Sequence, residues 1–167
     1  HVQQCNWEIR GIDLDATAID HCQRQFHQTP KLTFICQNFL QSTYQQDDNK
    51  KDTLVCVLGG PPYSAGAGHG KKGTNNDSMQ RHLPMDFVRH ALMEYHASVV
   101  VYIMPQRCAQ FAYPTQSWWN SCHYQYQYQT IPLEGPSTFY FQGRAQEAVQ
   151  QPSLLQCFWK TGSAIIP

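Results

Sequence analysis

The uncharged run at residues 53–58 (TLVCVL) stops abruptly at Gly59-Gly60-Pro61-Pro62-Tyr63. A continuous apolar run of this length reads as a sheet strand covered on both faces, and consecutive prolines cannot extend its hydrogen-bond ladder. Residues 98–104 (SVVVYIM) repeat the pattern and close at Pro105-Gln106-Arg107. Between the two runs, residues 83–96 place Phe87, Ala91, Leu92 and Tyr95 on one helical face. Two buried strands joined through a helix predict an α/β domain with a largely parallel sheet.

The flanking segments extend this pattern. Residues 8–14 (EIRGIDL) predict a short strand with an acidic end. Asp15 is suited to cap a following helix, which carries Ala18, Ile19, Cys22 and Phe26 at helical spacing and ends at Thr29-Pro30. Residues 32–36 (LTFIC) predict the next strand, and the polar stretch through Asp52 an exposed helix or loop. Residues 64–78, rich in Gly, Ala, Lys and Asn, predict a mobile loop. A helix is expected over residues 106–120. Further on, Tyr124, Tyr126 and Tyr128 alternate with glutamines, the period-two pattern of a strand with one buried face. Residues 138–142 and 154–160 (LLQCFWK) predict further strands, with a polar segment between them that could vary freely. An antiparallel edge on an otherwise parallel sheet fits this tail. The 167 residues show no internal repeat or linker and suit a single domain.

Twelve Lys and Arg balance twelve Asp and Glu. A protein that grips nucleic acid through many phosphates usually carries a basic excess, so a nucleic-acid substrate would be held by a local patch or by another domain or subunit. Seven cysteines include no Cys-x-x-Cys pair, which argues for free thiols in a reducing, intracellular compartment, cytoplasm or nucleus. The eight histidines stand at no ligand spacing with a cysteine pair, so no metal is expected. No apolar run is long enough to span a bilayer, and no membrane partner is expected. The first residue is His1, and the polypeptide is expected to extend upstream.

Ligands of α/β domains bind at the carboxyl ends of parallel strands, and three such ends carry suggestive residues. Asp13 offers several acceptor sites to vicinal ribose hydroxyls; the same residue would serve a nicotinamide-dependent enzyme or a simple helix cap. Asn38 combines donor and acceptor for an adenine edge, while Phe39 can cover the ring. Asn after a strand is also ordinary turn chemistry. Gly60-Pro61-Pro62-Tyr63 forms a rigid turn whose carbonyls can accept from an amino group, with Tyr63 placed to stack on a planar substrate.

In this order the three features resemble class I S-adenosylmethionine-dependent methyltransferases. The likeness is to the amino-methyltransferases with an (Asn/Asp)-Pro-Pro-(Tyr/Phe) motif, such as the N6-adenine-specific methylases, and it runs from about Glu8 to Arg107. It implies a Rossmann-like sheet, mostly parallel, with an antiparallel C-terminal hairpin ending in Phe158-Trp159-Lys160. It also implies S-adenosyl-L-methionine as cofactor. Asp13 would bind its ribose, Leu14 and Phe39 would flank its adenine, and Asn38 would meet the adenine amino edge. Tyr63 would stack on the target, with the Pro61 carbonyl holding the amine. The implied activity is methyl transfer to an exocyclic amine: adenine N6 in DNA or RNA first, protein glutamine N5 as an alternative.

The family's first strand and Gly-rich loop should precede Glu8. The seven residues there contain no glycine, so an N-terminally truncated domain is expected. Gly60 stands where the family has Asn or Asp and supplies no side-chain acceptor. That substitution, with the neutral charge and the missing first loop, motivates a second reading, a catalytically inactive methyltransferase-like binding or scaffold subunit. The Gly66-to-Gly73 loop lacks the phosphate-loop interval and reads instead as a flap, with Lys71, Lys72 and Arg81 able to meet phosphates. Arg107, at another strand end on the same rim, is a further substrate-binding candidate.

Overall fold

The computed structural model describes residues 7–44, 53–62, 83–122, 125–133, 138–140, 148–150 and 152–161. The chain divides into two compact units, residues 1–43 and 44–167.

In the first unit, β1 (Ile9–Asp13) and β2 (Leu32–Cys36) pair in parallel with Asp13 opposite Cys36. The crossover is α1 (Ala16–Gln25). Asp15 caps it as expected: one carboxylate oxygen accepts from the amides of Thr17 at 2.8 Å and Ala18 at 3.3 Å. These are amides that the helix cannot satisfy internally. Ile19 is its buried anchor. Gly11 allows the layers to close, because a Cβ there would stand 2.6 Å from the Phe34 ring, which itself packs on Phe26 with ring centroids 6.0 Å apart.

In the second unit, β3 (Cys56–Gly59) pairs in parallel with β4 (Val99–Pro105), and β8 (Ser153–Lys160) runs antiparallel between β4 and β5 (Tyr126–Pro132). The sheet order is β3-β4-β8-β5. The expected antiparallel tail is present, and the domain is a mixed α/β structure with parallel and antiparallel strands. A separate ribbon joins β6 (Thr138–Tyr140) and β7 (Ala148–Gln150). The sequence marked no strand at β7. Among the described residues no helix is long and apolar enough to cross a membrane.

Helix α2 (Leu83–Met93) buries Pro84, Met85, Val88, Ala91 and Leu92. It covers the sheet face of Val100 and Met104, with the Tyr102 hydroxyl donating to the Phe87 carbonyl at 3.5 Å. The helix is shorter than the expected 83–96; Ala91, Leu92 and Tyr95 are buried as expected, while Phe87 is partly exposed and Val88, one position later, takes its inward place. His96, at φ 48°, turns the chain out of the helix and into β4. Phe158, Leu154, Tyr113 and Cys108 complete the core, each no more than 1% exposed.

Two expectations are corrected. Residues 53–58 are not a strand covered on both faces: Leu54 is 59% and Leu58 is 72% exposed. The strand is β3, and among the described residues it pairs only with β4. An apolar run records what a strand can bury and not which neighbours it has. Residues 106–120 are not an α-helix but three 3₁₀ turns, Gln106–Gln110, Tyr113–Thr115 and Trp119–Ser121. Pro114 supplies no amide and disfavours helical geometry at Tyr113, so a continuous helix cannot pass.

Candidate functional site

At the carboxyl end of the first unit's sheet, the strand-end turns are tied together. The Gln37 amide donates to the Asp13 carbonyl at 2.8 Å, and the Cys36 thiol donates to the Leu14 carbonyl at 3.6 Å. Asp13 Oδ1 accepts from the Asp15 amide at 2.9 Å. That bond engages one oxygen of an exposed carboxylate, which has further acceptor capacity. Leu14 beside it is 68% exposed. Asn38 caps the short 3₁₀ turn Phe39–Gln41, its Oδ1 accepting from the Leu40 amide at 3.0 Å. With its oxygen engaged in the cap, this half-buried side chain keeps donor capacity at its amide nitrogen. Ser42 locks the turn by donating to the Phe39 carbonyl at 2.6 Å. Asp13, Leu14, Asn38 and Phe39 therefore stand at one sheet end, as their spacing implied: a carboxylate, an amide and two apolar side chains.

In the second unit, β3 runs into Gly60, buried Pro61 and exposed Pro62. Register pairs Gly59 with Tyr102, so Gly60 lies alongside Ile103. A Cβ at Gly60 would meet the Ile103 carbonyl at 3.6 Å, an ordinary contact, and its φ is not left-handed. The fold does not require glycine there. The acceptors at this turn are backbone carbonyls alone. Two residues past β4, Arg107 is exposed at the same sheet end. Tyr63, Lys71, Lys72 and Arg81 lie outside the described residues.

One set of residues escaped the sequence reading. Gln156 on β8 is 1% exposed. Its Nε2 donates to the Cys108 carbonyl at 3.0 Å, and its Oε1 accepts from the Tyr113 hydroxyl. Alternation did hold the signal, since Leu154, Gln156 and Phe158 share one face. Burial pushes the Cys108 thiol up to about 11, with Arg107 opposing that shift. It also raises Tyr113 and Tyr102, so these groups stay neutral. Among the described residues no three His, Cys, Asp or Glu could hold a metal ion.

By sequence, no protein-family model and no curated protein matches this chain. By structure, the chain is similar to the 23S rRNA methyltransferase ErmE, at TM-score 0.56 and 7% identity, covering 96% of this chain and 55% of that one. It is similar to the candidate RNA methyltransferase PH1948 of Pyrococcus horikoshii, at TM-score 0.54 and 15% identity, covering 92% and 63%. A mutant of Spodoptera frugiperda DNMT2 matches at TM-score 0.54 and 15% identity, covering 95% and 44%. At such identities the likeness is one of fold: the chain has the Rossmann-like α/β fold of these methyltransferases. It spans between 44% and 63% of their lengths.

Proposed function

We propose that this chain is the larger part of a methyltransferase domain that transfers a methyl group from S-adenosyl-L-methionine to an exocyclic amine, adenine N6 in DNA or RNA ahead of protein glutamine. The observation that carries this reading is the pair of adjacent parallel strand ends bearing Asp13 and Asn38, in a chain with a methyltransferase fold. The donor set fits the cofactor. Asp13 Oδ2 accepts from ribose hydroxyls, Asn38 donates to the adenine ring, and Leu14 and Phe39 flank that ring. When bound, the cofactor supplies an activated methyl group on a sulfonium. The turn at Gly60, Pro61 and Pro62 orients the amine through carbonyl acceptors, with Tyr63 stacking on the planar target. Lys71, Lys72 and Arg107 meet substrate phosphates. A base inside a duplex would have to be extruded first.

β3 has no described partner on its outer edge, although a parallel strand is normally paired and covered. This supports the proposal that a further segment of the polypeptide completes the sheet. The six described cysteines are all free thiols, which supports an intracellular setting.

Gly60 favours a second reading, an inactive fold that binds substrate or partner. Calorimetric titration with S-adenosylmethionine, beside Asp13→Ala, tests the cofactor site, and the same titration on an upstream-extended chain tests the completing segment. Binding abolished by Asp13→Ala is expected. Labelled-methyl transfer to RNA, DNA and protein pools then separates the readings: no transfer by the extended, cofactor-binding chain eliminates the enzyme.

A further inference from the structure

We infer that Gln156 and Tyr113 are positioning residues that hold Arg107 at the carboxyl rim of β3 and β4 to meet a backbone phosphate of a nucleic-acid substrate. The inference rests on the reading above and adds to it the residues that build the substrate contact.

Gln156 stands between Leu154 and Phe158 on the buried face of β8. A primary amide in that setting is costly unless its donor and acceptor are used. Both are used, and both reach the chain that follows β4. The nitrogen holds the carbonyl of Cys108, which is 0% exposed, and the oxygen holds the hydroxyl of Tyr113, also 0% exposed. Tyr113 is fixed in turn by the rings of Phe158, with centroids 5.1 Å away, and Tyr128, at 5.2 Å. On the other side of Arg107, the Gln106 amide donates to the Pro152 carbonyl at 2.9 Å. The backbone is therefore pinned immediately before and immediately after Arg107, while the arginine itself stays exposed. Restricting the backbone beneath a long side chain lowers the entropy lost when its guanidinium engages a ligand.

The position of this cation is distinctive. Among the described residues of this unit, the other cations are Arg89 and Lys160. Arg89 lies on α2, and Lys160 donates to the His96 carbonyl at 2.9 Å, at the amino end of β4. Arg107 stands at the carboxyl end, where β3 enters the Gly60-Pro61-Pro62 turn. A planar guanidinium is matched to phosphate by paired donors. Phosphate contacts set the register of a nucleic acid while base contacts specify it, which is what a turn that accepts one amine requires beside it.

The test is binding of a fluorescent single-stranded oligonucleotide to this chain, by anisotropy across a salt series. The proteins are the native sequence, Arg107→Gln, and a double variant, Tyr113→Phe with Gln156→Met, chosen to keep volume. The expected result is that Arg107→Gln lowers the slope of log affinity against log salt by about 0.7, the loss of one single-strand phosphate contact. Its unfolding temperature should stay above the temperature of the assay, so that folded proteins are compared. The double variant should lose the same slope although Arg107 is intact, an effect that a purely structural role would not produce. An unchanged slope in Arg107→Gln overturns the phosphate contact. A lowered slope there with a native slope in the double variant overturns the positioning role. No oligonucleotide binding by the native chain overturns the inference outright, whereas the cofactor titration decides the proposed function separately.

Discussion

Replacing Gly60 by asparagine would return a side-chain acceptor to the turn where an amine is proposed to bind. The structure allows it: the new Cβ lies 3.6 Å from the Ile103 carbonyl, and the backbone is outside the left-handed region. The fold should accept the change within about 0.5 kcal/mol, the usual range for a surface substitution. If the missing acceptor limits catalysis, the gain should approach the value of one hydrogen bond made in the transition state. That is about 2.7–4 kcal/mol, or roughly 10²–10³ in kcat, by analogy with oxyanion-hole deletions. The assay is single-turnover transfer of labelled methyl to oligonucleotides at saturating cofactor, using the upstream-extended chain with cofactor affinity measured in parallel. A variant that folds, binds cofactor with native affinity and transfers no faster would refute the reasoning. Fast transfer by the native chain would refute it equally, because the acceptor would then be dispensable.

Gly11→Ala should destabilise by about 1–3 kcal/mol through overpacking against Phe34, since its Cβ would lie 2.6 Å from that ring; denaturant titration should show recovery when Phe34→Leu is added. Phe158→Ala, at a site 0% exposed, should cost about 3–5 kcal/mol. Leu58→Ser, at a site 72% exposed, should change stability by no more than about 0.5 kcal/mol in the same titration. Alkaline pH should destabilise the protein. The Cys108 thiol is raised from 9.0 to about 11 on folding, so its contribution is full below pH 9 and is lost as pH rises from 9 to 11. The slope from that thiol approaches 1.36 kcal/mol per pH unit, and Cys108→Ala should flatten the dependence of the urea midpoint over that window.

Local chemistry made much of the first unit readable. Asp15 caps α1 because a carboxylate next to orphan amides needs no distant partner, and LTFIC forms β2 over the expected residues. Asp13 and Asn38 were placed correctly because strand ends follow from strand spacing. Residues 106–120 form three short turns where one helix was expected, because Pro114 interrupts any continuous helix, and its effect on Tyr113 is equally local.

What the sequence determined by itself, then, is the set of elements whose causes lie within a few residues: caps, proline stops, alternating strands, and the order in which acid, amide and proline turn appear. The tertiary structure alone decided the rest. It inserted β8 between β4 and β5, left β3 with one described neighbour, and brought Gln156 to Cys108 and Tyr113, 48 and 43 residues away. Such contacts depend on which strands meet. No local preference encodes that, because burial and hydrogen-bond satisfaction are properties of the whole packed sheet.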